Sequence, residues 1–122
     1  MIYDLTFARR IKICRLVVKS RKMLGDALGF DNCANPFLDM LLDLYLARYE
    51  QREVYLWPLC VASHCPQSTA HRKIVDMERQ GLVVRSQGDQ DKRRINIKMT
   101  GDGIELMDRL LDTMHRQGID VR

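Results

Sequence analysis

The chain has 122 residues, 46% hydrophobic and 30% charged, with a formal net charge of +4. That length fits one domain with one modest core. The composition is that of a globular chain, not a disordered one, and no apolar run approaches the ~20 residues of a membrane span.

Four cysteines, Cys14, Cys33, Cys60 and Cys65, form no CxxC pair, and arginine interrupts the N-terminal segment before any long apolar run. A cytoplasmic protein with free thiols, no secretory signal and no membrane partner is expected. Residues 66–100 hold eight Lys/Arg against four Asp/Glu, whereas the rest of the chain holds twelve against twelve. The whole excess of positive charge thus lies in one stretch, where a phosphate-binding surface would need it.

Asp4 to about Leu28 reads as a helix. Seven basic residues lie between Arg9 and Lys22 with no acid among them. At helical spacing Lys12, Arg15, Lys19 and Lys22 form one stripe, either a solvated face or a flank that touches phosphate. Leu5, Ile11, Leu16, Val18 and their apolar neighbours occupy much of the remaining circumference. One buried face needs fewer, so the helix is expected to pack on its own domain and on a second subunit.

Gly29 to Asn35 reads as a loop, and Asn35-Pro36 as a helix start. The leucine-rich helix from Pro36 to about Gln51 should be central to the core. Asp39 and Asp43 sit four apart on its polar side, with no His or nucleophile at matching spacing. They are read as a solvated face and not as an acid–base pair.

Glu53 to Leu56 is short, alternating and β-prone. A short helix follows from Trp57 or Pro58 to about His64, then a tight connection, then a helix from about Gln67 to Gln80. Ala70, Ile74 and Met77 should face inward. Gln67, Ser68, His71, Arg72 and Lys73 then face outward or flank that face. Gly81 ends the helix.

Leu82–Arg85 and Arg94–Met99 alternate as strands around a Gly- and Asp-containing loop. Thr100 caps a last helix that places Ile104, Met107, Leu111 and Met114 on one side and ends near Gly118. That apolar face is wide enough to serve a dimer.

Two short helices joined by a tight turn and followed by a hairpin make a winged helix-turn-helix. The expected fold is mainly α with a small antiparallel β-wing, flanked by N- and C-terminal dimerisation helices. The expected division is 1–35 for dimerisation, 36–100 for the winged helix-turn-helix, and 101–122 for dimerisation again. Such a shape can place a helix in the major groove of duplex DNA and a hairpin beside it.

Cys60, His64 and Cys65 cluster within six residues but lack the paired spacing of structural zinc sites, so no metal or cofactor is expected. Cys14, amid basic residues, is the best candidate for a redox-sensing thiol. Tyr55 and Trp57 are read as core or pocket-edge aromatics. No nucleophile–base pair or phosphate loop appears, so an enzyme is not expected.

From Val54 to Thr100 the chain resembles the winged-helix domain of MarR-type transcription regulators. The stretch Met77 to Val83 (MERQGLV) is similar to the family's L-E-x-x-G-L-V, and Asp91 to Thr100 (DKRRINIKMT) to its D-x-R-x-x-x-V-x-L-T. Leu59-Cys60 stands where the family commonly has Leu-Ala. His64 departs from the Gly often found in the helix-turn-helix turn.

The resemblance implies a homodimeric, sequence-specific regulator on a roughly palindromic duplex operator. Gln67, Ser68, Thr69, His71, Arg72 and Lys73 would lie at or near the major groove. Asp91 would orient Arg93 toward the minor groove, with Arg94 beside it. The terminal helices would interlock through Leu5, Ile11, Leu16, Val18, Met107, Leu111 and Met114. A small-molecule effector would remain to be identified. The competing reading is a winged helix that binds an acidic protein surface instead of DNA.

Overall fold

The computed structural model describes residues 5–87 and 93–119. The element order is α1 (Leu5–Leu28), α2 (Phe30–Cys33), α3 (Pro36–Glu50), α4 (Leu56–Ala62), α5 (Gln67–Arg79), β1 (Val83–Gln87), β2 (Ile95–Met99) and α6 (Gly101–Arg116). No helix among the described residues is long and apolar enough to cross a membrane.

Helix α3 is the hub. It packs on α1, α4, α5, β2 and α6. Its start is set by Asn35, whose side chain accepts from the Leu38 N–H at 3.2 Å, and by Pro36 in the first turn. Both devices suit backbone N–H groups that have no partner within the helix. Its end is a left-handed Gln51, φ 55°. Met40, Leu41, Leu42, Leu44, Tyr45 and Ala47 are all buried on it, so most of its circumference is core.

The Gly29–Asn35 stretch is not wholly a loop, since Phe30–Cys33 forms one helical turn. The chain doubles back so tightly there that a Cβ on Gly25 would lie 2.2 Å from the Phe30 ring. Glu53–Leu56 does not form a full strand. Its pairing is an isolated bridge, Tyr55 to Asn96, with the Ile97 N–H donating to the Val54 carbonyl at 2.8 Å. The wing is otherwise two-stranded and antiparallel, with Val83 opposite Met99 and Gln87 opposite Ile95. Thr100 caps α6 as expected, accepting from the Gly103 N–H at 3.0 Å.

Helix α1 buries Ile11, Ile13, Cys14 and Gly25, while Leu5, Val18, Met23, Leu24 and Leu28 stay exposed. Part of its apolar surface thus packs within the protomer and the rest is left in solvent. Three residues assigned to a dimer interface lie elsewhere: Ile11, Met107 and Leu111 are buried inside the protomer core. Helices α1 and α6 meet each other there, and that contact consumes the faces the sequence pattern allotted to a partner. Of the rest, Leu5 and Val18 are exposed, and Leu16 and Met114 are half-buried.

Cys14 is also in this core, with burial pushing its thiol up to about 12. A protonated, enclosed thiol cannot act as the redox sensor its basic neighbours suggested. The neighbouring cations point outward instead: Lys12, Arg15, Lys19 and Lys22 are exposed. Asp39 and Asp43 are not a merely solvated face either. Arg21 pairs with Asp39, and Arg52 Nη2 pairs with Asp43 at 3.0 Å.

A polar clamp fastens α1 to α6. Arg10 donates to both Asp112 oxygens at 2.9 and 2.7 Å, and Arg9 donates at 3.1 Å. Beside it, the buried Tyr45 hydroxyl donates to Asp108 at 2.6 Å. The hydrogen bond from Arg10 is the largest cause holding the Asp112 carboxyl down to about 2. A carboxyl depressed in the fold contributes stability above its ordinary pKa of about 3.9 and loses it as pH falls through the folded value. We expect Asp112→Asn to cost about 1–2 kcal/mol at neutral pH. The gap to wild type should narrow as pH falls below about 4. Urea midpoints of the two proteins across that range check this, and a gap independent of pH would refute the ion-pair account.

Candidate nucleic-acid interface

Helix α5 divides cleanly. Ala70, Ile74 and Met77 are fully buried against α3 and α4. On the opposite side, Ser68, Arg72 and Arg79 are exposed, and Gln67 is exposed as the first residue of the helix. Thr69, His71 and Lys73 occupy the flanks and are half-buried, with Lys73 Nζ at 4.0 Å from Asp76. At 100° per residue, 68, 72 and 79 lie on one face. Arg79 was missed in the sequence reading although the i, i+4 and i+11 spacing carried the signal.

The turn before α5 is built tightly. The buried Ser63 hydroxyl donates to the Cys60 carbonyl at 2.6 Å, and the His64 N–H to the Val61 carbonyl at 3.2 Å. His64 is left-handed, φ 57°, the conformation for which the resembling family often uses glycine. Its ring stacks on Phe30 with centroids 4.2 Å apart, a contact that offsets the backbone strain. Cys60 is buried with its thiol raised by burial, so it packs as a small apolar residue. No group of His, Cys, Asp or Glu among the described residues could hold a metal ion.

The wing is fastened to α5 by Arg85, which donates to Glu78 at 2.8 Å. Arg93 and Arg94 are exposed at the start of β2. The Arg94 guanidinium lies over the Tyr55 ring, 4.8 Å from its centroid. Asp91, expected to orient Arg93, lies outside the described residues.

Trp57 is not core but stands at the edge of a surface cleft, the second of the two places its sequence suggested. It is 53% exposed on α4 and stacks on His71 of α5, with centroids 5.9 Å apart and planes 23° apart. Periodicity could not reveal this: α4 is one short helix, and Leu56, Leu59 and Cys60 take all of its inner surface.

A two-helix turn whose second helix exposes donors, backed by a hairpin tied to that helix, is a winged helix-turn-helix. No protein-family model and no curated protein matches the chain. Solved structures do. A DNA complex of MepR from S. aureus is 23% identical over 84% of this chain and 82% of its own, with a TM-score of 0.62. A MarR family transcriptional regulator from Silicibacter pomeroyi is 24% identical over 86% of this chain and 70% of its own, TM-score 0.55. AF1382 from Archaeoglobus fulgidus is 17% identical over 67% of this chain and 87% of its own, TM-score 0.57. What the chain shares with them is the MarR-type winged-helix fold.

Proposed function

We propose that this chain is a transcription regulator that binds duplex DNA sequence-specifically as a homodimer, with α5 in the major groove and the wing at the minor groove. The observation that carries the reading is the exposed donor face of α5, Ser68, Arg72 and Arg79, held beside a basic wing by the Arg85–Glu78 pair. Arginine can bond guanine edges in bidentate fashion, and serine at a helix start can donate to phosphate. The N-terminus of α5 has no side-chain cap, so its free N–H groups also suit a phosphate.

The dimer is supported by the apolar surface that the protomer leaves open on its terminal helices. Leu5 and Val18 on α1 and Leu106 on α6 are exposed, and Leu110 and Met114 are half-buried. Burying such side chains against a second copy is favourable. In this reading residues 1–35 and 101–122 supply the dimer and 36–100 meet the DNA. Two α5 helices about 34 Å apart would then read a roughly palindromic operator.

Selection from a random duplex pool tests this. A recovered palindrome is the expected result. On that operator Arg72→Ala should weaken binding about tenfold to a hundredfold and relax the preference at one position of each half-site. Arg93→Ala should weaken binding with helicity unchanged, and affinity should fall steeply with salt. Recovery of no motif, with only weak salt-sensitive retention, would remove the regulator reading and favour an acidic protein partner.

A further inference from the structure

Between the start of α4 and the wing lies a cleft of about 200 Å³ lined by Tyr55, Trp57, Pro58, Arg93 and Arg94. One edge is the first turn of α4, which packs on α5, and the other is the wing. On one edge the Trp57 indole stacks on His71 of α5. On the other, Arg94 covers the Tyr55 ring, whose hydroxyl donates to Glu53. Among the described residues the lining carries two guanidinium groups, those of Arg93 and Arg94.

Duplex geometry says what must pass here. Adjacent major and minor grooves are separated by a single sugar–phosphate strand. A protein with a helix in one groove and a wing in the next straddles that strand, and the surface between them faces it. In this chain the cleft lies on that path, with α4 standing between α5 and the wing. An aromatic ring suits the apolar face of a deoxyribose, an indole N–H can donate to a phosphate oxygen, and arginine pairs with phosphate.

We infer that this cleft is a third DNA contact, binding the deoxyribose–phosphate strand that runs between the two grooves, with Trp57 as its central residue. The inference rests on the proposed DNA-binding function and adds to it a contact centred on α4, beside the wing arginines and outside the recognition face of α5. A contact to sugar and phosphate carries no base information, so its loss should weaken all sequences alike.

The test uses labelled mixed-sequence duplexes and the selected operator, with wild type, Trp57→Ala and Trp57→Phe. Trp57→Ala should weaken binding about threefold to tenfold on every duplex, leaving the preference for the operator intact. Trp57→Phe should keep part of the affinity, because it retains a ring and loses the N–H. Trp57 is the only tryptophan, so wild-type emission should also change when duplex is added. Its exposure makes misfolding of either variant unexpected, and helicity by circular dichroism checks this.

Wild-type affinity of Trp57→Ala for mixed duplexes would overturn the inference. So would a loss confined to the operator, since Trp57 would then act only by holding His71. If Arg72→Ala and Arg93→Ala weaken binding while Trp57→Ala does not, the cleft fails and the regulator reading stands. If wild type binds no duplex, both fail.

Discussion

Leu111→Ala is expected to cost about 2–5 kcal/mol of protomer stability, the range for truncating a fully buried leucine. Leu111 is 0% exposed, with Met107 one turn before it at 1%. It sits where α6 closes on α1 and α3, beneath the Arg10–Asp112 pair. The cavity cannot collapse readily, because that pair fixes the α1–α6 spacing from above. The measurement is the unfolding free energy of wild type and variant at several protein concentrations. A core residue gives the same loss at each. A loss that vanished at high concentration would return Leu111 to the subunit boundary, where the amphipathic pattern of α6 had placed it.

Gly103→Ala should cost about 3 kcal/mol, near the upper end for overpacking. A Cβ there would lie 2.2 Å from the carbonyl oxygen of Leu82. That oxygen is not free to move, because it accepts from the Thr100 N–H at 2.9 Å and so ties the start of β1 to the start of α6. Thr100 also donates its hydroxyl to the Gly81 carbonyl at 2.5 Å, reinforcing the same junction. Alanine is ordinarily the better helix former, so propensity alone predicts a gain. A thermal melt decides between the two, and a variant as stable as wild type would show that the wing root can shift. Since that root carries β1 and Arg85, any shift should also disturb the wing and weaken duplex binding.

The winged helix-turn-helix was largely legible in the sequence. Helix α5 could be placed from Ala70, Ile74 and Met77 alone, because a strongly amphipathic helix declares both its faces. The caps at Asn35 and Thr100 and the stop at Gly81 were readable because each acts through its own local backbone. The left-handed turn at His64 was signalled by its departure from the glycine of the resembling family. What that signal lacked was the Phe30 ring, which comes from an element read as a loop.

The terminal helices were less legible. Their apolar residues cover too much of each helix for periodicity to separate a core face from a partner face. Ile11, Met107 and Leu111 were therefore given to a dimer interface, whereas the protomer core takes them. Cys14 misled for a similar reason: its neighbours in sequence are cations, whereas its neighbours in space are apolar. Trp57 had no pattern to betray it, since its meaning comes from His71, on the next helix.

The amino-acid sequence by itself determined which residues share a face, where the helices begin and end, and where the positive charge collects, because these follow from local backbone chemistry and spacing. Only the tertiary structure decided what each face meets: that α1 and α6 close on each other, that Cys14 is sealed, and that Trp57 stands between α5 and the wing. Those outcomes depend on contacts between residues distant in the chain, where spacing along the sequence carries no information about spacing across it.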